Sequence, residues 1–363
     1  MRILIDIGHP GHVHLLRNTY HQLIQNGHDI WVTVKDIPIA KDLLRKYNIK
    51  YIDLGGKRDS LIGKALTQIR FNIKIFKLVR KNQIEIGLGT SMTLAHISKL
   101  TKMKSIILDD DDDDVQPLFV KYAHPFADTI LSPSSLIGHR KSKKTIFYSG
   151  FHELAYLHPK RFIPDVKVIN KIGLKEGEIF FVLRFVSLKG HHDIGHKGIS
   201  IDMKRQLINN LKSHGKIFIT SEKPIEDEFE KYRLPVTPEN IHSLLYYAKM
   251  LIGDSQTMTT EAAIIGTPSL KCNTFAGKLS VPNELEEKFN ICHAYLPKNF
   301  NHLLERVEEL LKKDDLQKIW KKRKNKLLED KIDVTSFMVW FIENYPKSAL
   351  NLIENPEYQN NFK

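Results

Sequence analysis

Short apolar runs rich in β-branched residues alternate with helix-compatible segments through the first half of this chain. The first run, residues 2–7, breaks at Gly8 and is followed by apolar residues at helical spacing: Leu15, Leu16, Tyr20, Leu23 and Ile24. Further runs occupy residues 29–34, 49–54, 84–88, 104–109 and 128–132. Strands that alternate with helices in this way predict an α/β fold with a parallel, doubly wound sheet.

The pattern stops at an irregular stretch near residues 150–165 and then starts again. New strand signals occur at 179–183, 216–220, 250–253 and 267–271, and the chain beyond residue 299 is helical in character. We therefore predict two α/β domains, residues 1–160 and 161–330. Residues 331–363 are expected to form a helix and tail, with the apolar segment Phe337–Ile342 packing across the domains.

Charge and composition limit the partners. The 55 Lys and Arg residues against 42 Asp and Glu give a net charge of +13, which favours nucleic acid, anionic lipid or phosphorylated small molecules. A helix-turn-helix, an RNP motif and a zinc finger are all absent, so nucleic acid is not expected.

The N-terminus reaches Asp6 after three apolar residues, and no apolar run is long enough to span a membrane, so we expect a cytoplasmic protein. Cys272 and Cys292 are expected in the core.

The segment Gly8–His14 is the first candidate site. At the end of a strand, Gly8 and Gly11 would let backbone N–H groups approach an anion at the start of the helix. His9 or His12 could act there as a general base. The alternative is a turn whose histidines cap the helix. The segment is not G-x-G-x-x-G, which disfavours a dinucleotide-dependent oxidoreductase.

The segment from Gly253 to Ala262 is the second candidate. It follows an apolar run and opens a helix, so Asp254, Ser255 and Thr257 are predicted to bind a diphosphate. Glu261, one turn later, could accept hydrogen bonds from ribose hydroxyls. The alternative is plain helix capping by Asp254 or Ser255.

Two further segments follow predicted strands. Arg184 and Lys189 could neutralise phosphate, and we place Ser187, His192, Ser221 and Glu222 in the same binding site. A metal site at His191–Asp193 with His196 is disfavoured, because the spacing is not a recognised ligand pattern, and no metal is predicted. The six aspartates Asp109–Asp114 must be solvated, lie near cations or have raised pKa values. They form either a solvated acidic loop or a catalytic or cation-binding one, with Asp110 as a candidate base.

A predicted helix near residues 61–81 has two stripes. Its apolar stripe is Ile62, Leu66, Ile69, Ile73 and Phe76, and its basic stripe is Arg70, Lys74, Lys77 and Lys81. Such a helix can lie on anionic lipid, although a helix that covers the sheet with a solvated basic side is favoured.

Several of these segments resemble known families. Gly253-Asp254-Ser255, Glu261-Ala262 and Gly266-x-Pro268 are similar to the nucleotide-binding stretch of non-hydrolysing UDP-N-acetylglucosamine 2-epimerases, whose pattern is GDSGG followed by EEA. Here Gln256 and Thr257 replace the two glycines, and Thr260 replaces the first glutamate. The segments 8–14, 148–159 and 184–187 with 192–193 resemble a prokaryotic family of predicted glycosyltransferases over most of residues 1–345.

The resemblance implies a GT-B-like fold, with two Rossmann-like domains facing a cleft that holds a nucleotide sugar. It implies a hexosyltransferase that moves a sugar from a nucleoside diphosphate sugar, with UDP as the expected nucleotide, to a glycan or lipid-linked acceptor in surface polysaccharide synthesis. The donor is a substrate, and no cofactor is required. Arg184 would stabilise the departing diphosphate, and His9, His12 or Asp110 would deprotonate the acceptor. The inner face of the cell membrane is then an expected location.

Two alternatives remain: a UDP-sugar 2-epimerase on the same fold, and a basic protein that binds a polyanion without catalysis.

Overall fold

The computed structural model describes residues 1–56, 60–186, 198–221 and 224–363. Its strands are β1 Arg2–Ile7, β2 Asp29–Lys35, β3 Ile52–Gly55, β4 Ile86–Gly89, β5 Lys104–Leu108, β6 Thr129–Pro133, β7 Thr145–Tyr148, β8 Phe180–Phe185, β9 Lys216–Ser221, β10 Met250–Gly253, β11 Ser269–Cys272 and β12 Cys292–Tyr295.

The helices in the described part of the chain are α1 Pro10–Gln25, α2 Pro38–Lys46, α3 Leu61–Asn82, α4 Met92–Ser98, α5 Pro117–Tyr122, α6 Leu154–Leu157, α7 Lys167–Lys171, α8 Ile201–Leu211, α9 Ile241–Tyr247, α10 Gln256–Ile265, α11 Ser280–Glu287, α12 Phe300–Leu311, α13 Leu316–Asp330, α14 Val334–Glu343 and α15 Lys347–Glu354. The chain divides into two compact units. The first comprises residues 1–156 with 331–363, and the second comprises residues 157–330.

The first unit is built on a parallel sheet with strand order β3-β2-β1-β4-β5-β6-β7. The chain starts at β1 and builds outward in both directions, so β1 and β4 flank the point where the strand order reverses. Ligands of open α/β sheets bind at the carboxyl ends of the strands at such a point. Gly8 follows β1 there, and Gly89 ends β4.

Helix α3 covers this sheet with a different face from the one that its sequence pattern indicated. Phe71, Ile75 and Val79 are buried in a cluster with residues of β1, β5 and β6. Of the predicted apolar stripe, Ile69 and Ile73 are about half exposed, at 55 and 50%. The helix carries two apolar ridges, and the sheet covers the one that contains Phe71. The side chain of Ile62 lies outside the described part.

The C-terminal segment belongs to the first unit. Asp333 caps α14 by accepting hydrogen bonds from the N–H groups of Thr335 and Ser336. The backbone N–H of Ile332 donates to the carbonyl of Ser149, and the ring of Phe337 lies 5.6 Å from that of Tyr148. The unit boundary therefore lies at residues 156/157, a few residues before the predicted 160/161, and residues 331–363 complete the first sheet's helical layer.

The second unit has a parallel sheet with order β12-β11-β10-β8-β9. Its order reverses between β8 and β10, where Arg184 is in register with Gly253. A Cβ at Gly253 would lie 2.1 Å from the carbonyl oxygen of Arg184, so only glycine allows these two strands to approach. Cys272 and Cys292 are free and buried, which confirms their prediction as core residues.

The predicted α/β class with two doubly wound parallel sheets is confirmed. The sequence pattern did not predict the short strands β7 and β12. Within the described residues, every helix is too short or too polar to cross a membrane.

Candidate functional site

The loop after β1 places its histidines in different roles. His9 is the N-cap of α1, and its Nδ1 accepts a hydrogen bond from the N–H of Gly11 at 3.1 Å. The His9 side chain is exposed, so the capping alternative describes its geometry well. The ammonium group of Lys35, at the end of β2, lies close to Gly8, since a Cβ at Gly8 would be 3.2 Å from Nζ. Lys35 is thus a cation at this edge that the sequence analysis missed.

His12 is held as a neutral imidazole. Burial, followed by the nearby His9, Lys35 and His152, lowers the pKa of His12 to about 3. Its Nδ1 accepts a hydrogen bond from the N–H of Gly8 at 3.3 Å, which leaves the ring proton on Nε2. In this tautomer His12 can donate a hydrogen bond from Nε2 but cannot accept a proton there.

Asp110, after β5, pairs with His152, which follows β7. The Asp110 Oδ2 atom lies 3.1 Å from the Nδ1 atom of His152. Burial alone would lower the pKa of His152, but the charge and hydrogen bond of Asp110 outweigh it and raise that pKa. Burial alone would raise the pKa of Asp110, but the charge and hydrogen bond of His152 outweigh burial and lower that pKa.

The two members of this pair differ in exposure. The side chain of Asp110 is 36% exposed, whereas that of His152 is 11% exposed. The His152 ring stacks on Tyr148, and its Nε2 has no hydrogen-bond partner within the described part of the chain. Asp110 is therefore the member that a substrate can reach, and His152 lies behind it. His152 was missed as a site residue because β7, the strand before it, was not predicted.

The run of aspartates is neutralised by cations from elsewhere in the first unit. The Arg140 side chain is fully buried, and its Nη1 lies 2.7 Å from Asp109 Oδ2 and also bonds Asp113. His124 Nε2 lies 2.8 Å from the same Asp109 oxygen. Of the alternatives for this run, proximity to cations describes Asp109 and Asp113, which are buried, whereas Asp114 is exposed beside Lys141.

The Arg140 side chain also binds the backbone of the aspartate loop. Its Nη2 donates to the carbonyl oxygens of Asp109 at 3.1 Å and Asp111 at 2.8 Å. These bonds fix the chain on both sides of Asp110, so the side chain of Asp110 is presented to His152. Within the described residues, no group of three His, Cys, Asp or Glu side chains is arranged to hold a metal ion.

In the second unit, Arg184 lies at the carboxyl end of β8. Its Nη1 donates to the Thr220 hydroxyl at 3.1 Å, and Ser221 follows at the end of β9. The side chain of Arg184 is half-buried at the point where the strand order reverses. Of the predicted set, Ser187, His192 and Glu222 lie outside the described residues, as do Lys189, His191, Asp193 and His196.

Asp254 and Ser255 both bind backbone. The Asp254 carboxylate accepts hydrogen bonds from the N–H groups of Val186 at 2.8 Å and Ile199 at 3.1 Å. Burial, partly opposed by these bonds, raises the pKa of Asp254 to about 6. Ser255 is the N-cap of α10, and its hydroxyl accepts from the N–H of Met258. Thr257 is exposed in the first turn of α10.

Two side-chain pairs support α10. The Oε1 atom of Glu261 lies 3.0 Å from Nε2 of His242 on α9, and both side chains are buried. Gln256, at the first position of α10, accepts a hydrogen bond from the ammonium group of Lys271. Burial lowers the pKa of Lys271 to about 8. Lys271 was missed because residues 267–271 were interpreted only as a strand, and their side chains were not considered for the site.

Comparison with known proteins places these sites in context. A family model described as "Protein of unknown function (DUF354)" matches residues 1–345. An uncharacterised protein of Methanocaldococcus jannaschii, MJ0665, is 24% identical over 312 residues, which are 80% of this chain and 87% of that protein.

Solved structures with the same fold include enzymes of two kinds. The UDP co-structure of S. aureus MnaA has a TM-score of 0.68 at 12% identity and covers 98% of both chains. The UDP-GlcNAc 2-epimerase from Neisseria meningitidis, bound to UDP-GlcNAc, has a TM-score of 0.66 at 12% identity over 88% of this chain and 94% of its own. SsfS6, a Streptomyces glycosyltransferase, has a TM-score of 0.61 at 11% identity over 95% of this chain and 100% of its own. At these identities the likeness establishes the GT-B-like fold.

Proposed function

The chain belongs to the family described as "Protein of unknown function (DUF354)", and we propose that it transfers a sugar from a UDP-linked donor to a hydroxyl of a glycan or lipid-linked acceptor. The observation that carries this proposal is the carboxyl edge of the second sheet. There Arg184 and the start of α10 meet at the point where the strand order reverses. That is where open α/β sheets bind their ligands, and two relatives in fold were solved with UDP or UDP-GlcNAc.

The donor diphosphate is assigned to this edge. The first N–H groups of α10 lack partners within the helix and attract an anion, and Thr257 adds an exposed hydroxyl. Arg184 can present two parallel N–H groups to a phosphate and stabilise the negative charge that develops as the diphosphate leaves. Ser187, His192, Ser221 and Glu222 remain part of the proposed donor set, with Glu261 proposed for the ribose. No cofactor is needed for this reaction.

The acceptor is assigned to the carboxyl edge of the first sheet. Asp110 takes the proton of the acceptor hydroxyl, and the hydroxyl oxygen forms the new bond to the anomeric carbon of the sugar. The bond between that carbon and the diphosphate breaks, and its electron pair stays with the phosphate oxygen. His152 positions Asp110 through its Nδ1–H. His12, whose Nδ1 accepts from the N–H of Gly8, can donate a hydrogen bond from Nε2 to the acceptor.

Epimerisation of the sugar nucleotide is the second candidate, because several relatives in fold are UDP-GlcNAc 2-epimerases. One local feature favours transfer. Gln256 occupies the first of the two glycine positions in the epimerase pattern, and its side chain fills the start of α10 with a hydrogen bond to Lys271. An epimerase forms product from the donor alone, whereas a transferase releases UDP only when an acceptor is added.

Thermal-shift titration with UDP, UDP-GlcNAc, UDP-glucose and GDP-mannose tests donor binding, since a ligand of the folded state raises the melting temperature. Arg184→Gln should weaken UDP binding roughly tenfold or more, which is the loss of one hydrogen bond to a charged group. The control Arg205→Gln removes an exposed arginine of α8 that pairs with Glu228 and should bind UDP as wild type does. Equal affinity of all three proteins would contradict the donor assignment.

Acceptor-dependent release of UDP tests the chemistry. Asp110→Asn should reduce turnover by about 10²-fold or more without changing the UDP-induced thermal shift, because a positioned base contributes about that much. His9→Ala, which removes a capping side chain, should keep most of the activity. Full turnover of Asp110→Asn, or product formed with no acceptor present, would overturn the assignment of this base or of the transferase.

A further inference from the structure

Helix α3 has an exposed apolar ridge that the rest of the described chain leaves uncovered. Leu66, Ile69 and Ile73 are 51, 55 and 50% exposed, and they recur at helical spacing along one side of the helix. The side chains that this helix buries, Phe71 and Ile75 among them, lie on its other side. Several large apolar side chains grouped on one exposed ridge are typical of an interaction surface.

A row of cations lies beside this ridge. Arg70, Lys74, Lys77 and Lys81 are all exposed, and α3 contains no Asp or Glu from its first residue to its last. Arg70 donates to the carbonyl of Gly56 and Lys74 to that of Leu54, so these two side chains are anchored along the sheet edge. Within the described residues, Lys77 and Lys81 form no ion pair, which leaves their charges available.

The neighbouring helix α5 adds to the same layer. His96 of α4 connects the two, since its Nδ1 lies 3.5 Å from Asn72 Nδ2 on α3 and its Nε2 lies 2.7 Å from the carbonyl oxygen of Tyr122 on α5. Leu118 and Tyr122 of α5 are 58 and 45% exposed. Helix α5 also lacks acidic residues and carries Lys121.

We propose that the exposed face of α3 docks on an anionic lipid bilayer. Leu66, Ile69 and Ile73 enter the boundary between headgroups and acyl chains, and Lys77 and Lys81 contact lipid phosphates. Charge complementarity favours this occupant over a second copy of the chain, because a symmetric contact would bring two rows of cations together with no carboxylate on either α3. The surface is independent of the proposed glycosyl transfer, and binding to it requires no nucleotide.

Vesicle co-sedimentation tests the apolar part of the surface. The variant Ile69→Ser/Ile73→Ser should bind phosphatidylglycerol-containing vesicles about tenfold more weakly than wild type, because it removes two apolar side chains that the bilayer would bury. Isoleucine and serine have similar helix propensities, so α3 is retained. The matched control, Leu350→Ser/Ile353→Ser, removes side chains that are 59 and 65% exposed on α15 and should bind as wild type does.

A second pair of variants tests the charge. Lys77→Gln/Lys81→Gln should weaken binding about tenfold at low salt, and the difference should shrink as salt is added. Lys321→Gln/Lys326→Gln removes the same charge from exposed positions of α13 and should have a much smaller effect. The melting temperature of each variant is measured, and only variants that melt at the wild-type temperature are compared, so that loss of folding cannot imitate loss of binding.

Three results would overturn the proposal. Wild type and Ile69→Ser/Ile73→Ser could pellet equally with anionic vesicles, or wild type could pellet equally with phosphatidylglycerol and neutral phosphatidylcholine vesicles. The ridge could instead support self-association that depends on protein concentration and disappears in the isoleucine variant, which would assign it to a second copy. The UDP thermal shift is a separate readout, so its failure leaves the vesicle result intact.

Discussion

Replacing Arg140 with methionine should destabilise the first unit by about 3 kcal/mol. The Arg140 side chain is completely buried and is shared between Asp109 and Asp113. Removing one partner of a buried ion pair costs about 3–5 kcal/mol, because the remaining charge is left in a poorly solvated place. The lower end applies here, since Asp109 keeps His124 and Asp113 still accepts a hydrogen bond from the N–H of Lys141.

Urea unfolding followed by circular dichroism measures this change, and calorimetry should show a fall in melting temperature of roughly 6–12 °C for the transition of a domain this size. The control is Lys141→Met, next along the chain. Lys141 and Asp114 are 78 and 91% exposed, and an exposed pair contributes less than about 1 kcal/mol.

A double variant tests the cause of the loss. Arg140→Met/Asp113→Asn should be more stable than Arg140→Met alone, because the second change removes the carboxylate that the first leaves without its cation. If Arg140→Met costs no more than Lys141→Met, or if the double variant is the less stable of the two, the argument from buried charge is refuted.

Three further predictions follow from the two sites. Asp110→Asn should lower the pKa of His152, because the carboxylate is what raises it, and an NMR titration of the imidazole that matches wild type would show that the pair does not form. The pKa of Asp254 rises from 3.8 in the unfolded chain to about 6 in the folded protein. The stability that its protonated form contributes is therefore present below about pH 4 and is lost as pH rises through about 6. Urea unfolding of Asp254→Asn at pH 4 and pH 7 should not show this loss. Gly253→Ala should cost several kcal/mol or prevent folding, because its Cβ would lie 2.1 Å from the carbonyl oxygen of Arg184, and a melting temperature within a few degrees of wild type would contradict this contact.

Most strands could be predicted because a strand that is buried on both faces has a continuous apolar sequence. β7 and β12 were missed because each spans few residues and includes polar ones, such as Thr145 in β7 and His293 in β12. Helix α3 shows a different limit. Its position was predicted, but both of its ridges are apolar, and only the shape of the sheet beneath decides which ridge is buried.

From the sequence, site residues could be predicted only where they lie at the end of a predicted strand. Asp110 and Arg184 were singled out because each follows an apolar run, and the structure places both at a carboxyl edge. Their partners are distant in sequence. His152 contacts Asp110, and Arg140 holds the loop around it, so neither role can be recognised before the fold brings them together. The ribose role of Glu261 stays a prediction.

The first unit is assembled from two separate stretches of chain, and this has a consequence for synthesis on the ribosome. Thr335 of α14 donates its hydroxyl hydrogen to the carbonyl of Ala155, to which Asn18 of α1 also donates. That contact cannot form until the chain beyond residue 330 has been made. At about 5–20 residues per second, synthesis of residues 157–330 takes on the order of 10–30 s.

During that interval the nascent first unit exposes the apolar surface of α1 and β7 that α14 later covers, where the ring of Phe337 packs against that of Tyr148. This surface therefore stays open to non-native contacts until the whole second unit has been synthesised.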